Sequence, residues 1–266
     1  MTDLATRSGR WPAGAQQLQD AFDRLDRQCV KGAGFRLPAS PGASLPVPED
    51  EAAAIDLDGR RRHGYGISVH DHGSTAAAAP DAYTSSLSVR DQKRLAEAQF
   101  GPGEQRTAVT LNGKGRVTVP SAGCVARTRT KLAGDVQAFA QIFYAPQQFD
   151  DQLNRTAPKD TSYQAALGRW RACMANKGYT YASPDAATTQ LRQEYERRAG
   201  GAHFRHLEIS VAVADGECES RTHLPTALLG VRRNLVARLP AGDLSYLRSV
   251  TTSWESAVTH ARRALA

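Results

Sequence analysis

A mainly α fold, with about seven helices and one small β-hairpin, is what the sequence predicts, in two pseudo-duplicated halves that each hold one disulfide. Three observations predict it. Apolar residues recur at helical spacing in segment after segment, and glycine or proline closes most of these segments. Apolar and polar residues alternate around an Asn-Gly turn. The four cysteines fall into two kinds of local context, one of each kind in each half.

The elements follow in chain order. Gln16 to Lys31 sets Leu18, Ala21, Phe22, Leu25 and Cys29 on one stripe, the mark of an amphipathic helix. Gly32 and Gly34 end it, because glycine accepts the left-handed backbone at a helix C-terminus. Phe35 and Leu37 then return to the core. Residues 38–83 carry Pro38, Pro41, Pro46, Pro48, the acidic Glu49-Asp50-Glu51 and alanines 76–79, a loose segment with short pieces of structure. Gly64 to His70 has the composition of a short strand. Ser88, with Asp91 three residues on, caps a helix that reaches Phe100 and stops at Gly101-Pro102-Gly103. Thr107–Leu111 and Arg116–Val119 flank Asn112-Gly113 as a hairpin.

Gly123 to Tyr144 reads as one helix with Leu132, Val136, Phe139 and Phe143 on its inner face, ended or kinked at Pro146. Tyr163, Ala166, Leu167, Trp170, Cys173 and Met174 form the strongest stripe, stopped by Gly178. Ser183-Pro184 begins a helix to about Arg198, with Gly200-Gly201 after it. Leu207, Val211, Ala214 and Cys218 mark the next, and Leu224 to Leu239 another before Pro240. Asp243 is read as the cap of a last helix with Leu244, Leu247, Trp254, Val258, Ala261 and Leu265 inward. The expectation is a single helical domain over residues 1–266. It has pseudo-repeats at roughly 16–145 and 160–240 and a C-terminal helix over 243–265.

Cys29, Cys124, Cys173 and Cys218 lack CxxC or Cys/His finger spacing, which argues against a structural zinc site. Cys29 and Cys173 each precede, by five and six positions, a glycine and an aromatic: Gly34-Phe35 and Gly178-Tyr179. Cys124 and Cys218 each open Cys-x-x-Arg-Thr. A duplication with one bridge per half pairs Cys29 with Cys124 and Cys173 with Cys218. Spacing alone does not choose among the three connectivities, and four buried thiols in a cytosolic protein is the alternative. Phe35, Tyr179 and Tyr181 are expected to plug the core beside the bridges.

The net charge of +7 invites a nucleic-acid reading, but the arginine runs are the scattered pairs Arg197-Arg198, Arg232-Arg233 and Arg262-Arg263 and the triple Arg60-Arg61-Arg62, none with an aromatic beside it. No nucleic-acid partner is therefore expected. No stretch approaches the roughly 20 apolar residues of a membrane span. There is no Gly-x-Ser-x-Gly elbow, Walker loop or dinucleotide fingerprint, so no cofactor is expected. The acidic runs Asp150-Asp151 and Glu49-Asp50-Glu51 read as solvated surface. His70-Asp71-His72 is the candidate for chemistry. Alternate strand positions share a face, so His70 and His72 form a candidate metal pair, with His203 or His206 as a third donor.

Cys173-Met174 with Gly178-Tyr179, preceded by Trp170, resembles a group of uncharacterised secreted proteins and lipoproteins of actinobacteria. The resemblance covers roughly residues 18 to 240. It implies an exported, disulfide-bonded helical domain and no particular activity. The chain departs from that pattern in showing no export leader and no lipid-attachment cysteine. The expected location is extracytoplasmic, with a cytoplasmic one as the alternative. The expected function is a binding or accessory protein without chemistry of its own, its partner an envelope component, a peptide or another protein. The alternative is an enzyme assembled around His70 and His72.

Overall fold

Residues 1–38, 55–68, 78–198 and 201–266 are described by the computed structural model, and twelve helices form among them rather than about seven. Cα proximity divides the chain into two units. Met1–Pro46, Thr75–Gln152 and Val236–Ala266 make the first, Val47–Ser74 and Leu153–Leu235 the second.

In the first unit, α1 (Thr2–Ala5) precedes α2 (Trp11–Gly32). The predicted stripe of α2 buries Leu18, Ala21 and Leu25, together with Val30. After α3 (Leu57–His63), which belongs to the second unit, come α4 (Ala78–Ser86) and α5 (Val89–Phe100). The first of these two begins inside the stretch expected to be loose and runs three residues past its end. The cap of α5 is as the sequence reads: the Ser88 side chain accepts from the Asp91 N–H. Strands β1 (Arg106–Leu111) and β2 (Gly115–Pro120) pair antiparallel, Val109 opposite Val117. Asn112 and Gly113 both take positive φ, 50° and 65°, as a tight hairpin requires.

The helix expected over Gly123–Tyr144 is two helices, α6 (Gly123–Ala133) and α7 (Val136–Thr156). The break falls at Gly134, where φ is 93° and only glycine is unstrained. Pro146 does not end α7 but sits inside it. Phe143, assigned to the buried face, is 48% exposed. The C-terminal helix α12 (Ala241–Leu265) packs along α2 and α6. Asp243 does not cap it. Its carboxylate instead ties the hairpin tip down by accepting from Asn112 and Lys114.

The second unit holds α3, α8 (Thr161–Asn176), α9 (Pro184–Arg198), α10 (Ala202–Thr222) and α11 (Leu224–Val236). All six residues of the strongest stripe are buried in α8, and Trp170 and Met174 are 0% exposed. Ser183 caps α9 by accepting from the Ala186 N–H. Gly64–Ser68 forms turns rather than the expected strand, and α3 lies within the stretch read as loose.

Both bridges form, Cys29–Cys124 in the first unit and Cys173–Cys218 in the second, with Cα atoms 5.6 and 5.7 Å apart. The helix ends that carry them close alike. Phe35 N–H donates back to the Val30 carbonyl at 3.2 Å, and Tyr179 N–H to the Met174 carbonyl at 3.0 Å. Gly34 and Gly178 take φ of 93° and 86° just before. This is the six-to-one bond of a Schellman end, which places an apolar residue back on the helix it terminates. Phe35 and Tyr179 do pack onto the cluster that holds their bridge.

Candidate functional site

Helix α10 turns an acidic stripe inward. Glu208, Asp215 and Glu219 stand seven and four residues apart, so they share one face with Val211 and Cys218. Glu208 and Asp215 are 0% exposed. Burying carboxylates without partners costs several kcal/mol each, so the fold must supply donors.

Residues 55–68 supply most of them. The Arg60 guanidinium forks between two acids: Nη1 donates to Asp215 Oδ2 at 2.9 Å and Nη2 to Glu219 Oε2 at 2.7 Å. Nη1 also reaches the Ala212 carbonyl at 3.1 Å. The Tyr65 hydroxyl donates to Asp215 Oδ2 at 2.7 Å, and Trp170 Nε1 donates to Oδ1 at 2.9 Å. Glu208 receives the N–H groups of Ile67 and Ser68 at 2.7 and 3.1 Å, and the Ser68 hydroxyl at 2.6 Å. Gly64 makes this approach possible. Its φ is +61°, and a Cβ there would lie 2.8 Å from Glu208 Cγ.

Burial sets the electrostatics. It pushes the Asp215 carboxyl above the usual carboxylate range, against the opposing pull of Arg60, Tyr65 and Trp170. Burial, then the Asp215 charge, drives the Tyr65 hydroxyl far above its ordinary value. Tyr65 therefore stays a donor at any physiological pH.

Beside this cluster lies a cavity of about 430 Å3. Arg60, Tyr65, Asp215 and Glu219 form one wall. Tyr163, Leu224 and Leu228 give apolar surface, and Asn154, Asp185 and Thr188 add polar groups. The volume is in the range of small-molecule sites. A smaller hollow in the first unit, about 160 Å3, is lined by Trp11, Leu18, Phe139, Phe143 and Trp254 beside Arg7.

His70 and His72, the sequence's metal candidates, lie outside the described residues. His203 and His206 are both exposed on α10. Among the described residues no group of three His, Cys, Asp or Glu side chains is arranged to hold a metal ion. Asp150 is not simply solvated surface: it faces Arg7 at 3.6 Å with 15% of its side chain exposed. Among the described residues no helix is long and apolar enough to cross a membrane.

The sequence does not single out Arg60, Tyr65, Glu208, Asp215 and Glu219 as a site. One signal was present. The acids on α10 recur in phase with its apolar stripe, which puts them in the core rather than on the surface.

No protein family, curated protein or solved structure matches the chain.

Proposed function

We propose that this chain is an extracytoplasmic binding or accessory protein that performs no chemistry on the ligand it holds. In this reading the cavity of the second unit holds a small ligand that bears a cationic group. The observation that carries it is the cavity's lining. Three carboxylates, Asp185, Asp215 and Glu219, line it with a single guanidinium, Arg60, together with apolar and aromatic side chains. Such a wall favours an amine at one end and a hydrocarbon or ring body at the other.

The state of Asp215 supports binding over catalysis. Both its oxygens are taken by Trp170, Tyr65 and Arg60, so it is a fixed electrostatic wall and not a base free to move a proton. Two disulfides favour an oxidising compartment. The resemblance to secreted actinobacterial proteins points the same way. An amine-bearing envelope component or the basic side chain of a peptide fits this chemistry.

Calorimetric titration of the full chain with spermidine and with a lysine-containing peptide tests the reading. Saturable binding is expected, weakened about two- to fivefold by Asp185→Asn, the worth of an exposed ion pair. Native mass spectrometry of protein taken from its producing cell is expected to show a bound small molecule. Failure of every amine to bind, together with a ligand-free native mass, would remove the proposal.

A further inference from the structure

The two disulfides close matching motifs but sit in different surroundings. Cys173 and Cys218 are sealed in the core of the second unit, 8% and 0% exposed. Arg221, three residues after Cys218, is exposed and acts electrostatically on Glu217. In the first unit the equivalent arginine turns onto the bridge itself. Arg127 Nη2 lies 3.0 Å from Cys29 Sγ and 3.2 Å from Cys124 Sγ. Cys124 is 0% exposed, whereas Cys29 is only partly buried. Only one sulfur of this pair can therefore be reached from solvent, and a fixed positive charge sits on both.

The neighbourhood adds to that charge. Helix α6 starts at Gly123 with Ala122 at its cap position, so no side chain accepts from its first N–H groups. A hollow of about 370 Å3 opens there, lined by Ser121, Gly123, Ala126, Arg127, Thr130 and Lys131. A helix N-terminus and two cations attract an anion, and the same Arg127 borders both the hollow and the bridge.

We propose that Cys29 is a thiol–disulfide exchange site for small anionic thiols, with Arg127 taking up the charge of the departing sulfur. The incoming thiol first loses its proton to solvent. Its thiolate attacks Cys29 Sγ, and a new sulfur–sulfur bond forms there. The Cys29–Cys124 bond breaks, and its electron pair leaves on Cys124 Sγ as a thiolate facing Arg127. The small thiol is oxidised to a mixed disulfide and Cys124 is reduced, so the step needs no other oxidant or reductant. A cation beside a sulfur stabilises its thiolate and so makes it a better leaving group. The Cys173–Cys218 bridge stays intact under the same conditions.

The test exposes the oxidised full chain to 2-mercaptoethanesulfonate, traps free thiols by alkylation and maps the peptides by mass. The first product is expected to carry the small thiol on Cys29 and the alkyl group on Cys124. It should form at least about tenfold faster than any adduct at Cys173 or Cys218, the difference access and charge make to exchange. Neutral 2-mercaptoethanol, compared at equal thiolate concentration, should react more slowly, and high salt should erase the difference. Arg127→Gln should slow the adduct several-fold, and Arg127→Lys should restore most of the rate. An adduct appearing first on Cys124, Cys173 or Cys218 would overturn the proposal. So would equal rates at the two bridges, or full speed in Arg127→Gln. The salt series on the unsubstituted chain does not depend on whether any variant folds: a rate indifferent to salt defeats the preference for anionic thiols.

Discussion

Asp26 and Asp215 are both buried acids, and they differ in what surrounds them. Asp215 accepts three hydrogen bonds, from Arg60, Tyr65 and Trp170. Asp26, on the inner face of α2 and 8% exposed, has an oxygen with no hydrogen-bond partner among the described residues. Burial, and then the Asp23 charge, push its carboxyl up to about 6, against the pull of Arg129 and Arg27. A carboxyl whose folded value lies above its ordinary 3.8 binds its proton more tightly in the folded chain. Its contribution to stability is full below pH 4 and is lost as pH rises through 6. Asp26→Asn removes that loss. At pH 8 the variant should be more stable than the parent by up to about 3 kcal/mol, from two pKa units at 1.36 kcal/mol each. At pH 4 the gain should vanish. Urea unfolding at the two pH values measures both, and an equal effect at each would show that packing, not titration, governs the site.

Element by element, what was legible depended on whether the stabilising partners were local. Helix α8 is legible in full because six apolar residues set its face within a few turns. Helix α5 was legible because Ser88 and Asp91 form its cap from adjacent sequence. Helix α3 is not legible because it contains one large apolar residue, Leu57, and short helices depend on tertiary contacts. Those contacts come from α10, whose Asp215 stands 155 residues from Arg60. No local pattern could pair them, so the candidate site was invisible while its two halves were each in view. The strand expected at Gly64 fails for the same reason: the N–H groups of Ile67 and Ser68 go to a glutamate, not to a neighbouring strand. Gly216 tests the α3–α10 contact directly. A Cβ there would lie 2.9 Å from Ile55 Cγ2 and Leu57 Cδ2, and 3.0 Å from Arg60 Cδ. Gly216→Val should therefore push α3 outward and cost about 1–3 kcal/mol, as overpacking does. Hydrogen exchange should quicken at the Ile67 and Ser68 amides, which Glu208 otherwise holds. Unchanged protection there would show that the polar clamp does not depend on this close approach.

Across the whole molecule the chain passes between its two units four times, and the bridges relate differently to that path. Cys29–Cys124 joins residues 95 apart, and its loop contains Val47–Ser74 of the second unit. Cys173–Cys218 joins residues 45 apart and stays within the second unit. Loop entropy alone makes the longer closure worth about 5 kcal/mol and the shorter about 4, a difference of less than about 1 kcal/mol. Burial works in the opposite direction. Replacing Cys173 and Cys218 by serine puts two hydroxyls where both sulfurs are sealed, whereas in the other pair only Cys124 is fully enclosed. An unsatisfied buried hydroxyl costs about 1–3 kcal/mol, which outweighs the entropy difference. The double variant Cys173→Ser/Cys218→Ser should therefore be the less stable of the two bridge deletions, despite its shorter loop. Its amides in α8 and α10 should lose protection first, while Cys29→Ser/Cys124→Ser should expose α2 and α6. Urea unfolding with hydrogen exchange on both variants ranks them. A larger loss on deleting the first bridge would mean that closing the long loop, not sealing the core, is the main contribution of these disulfides.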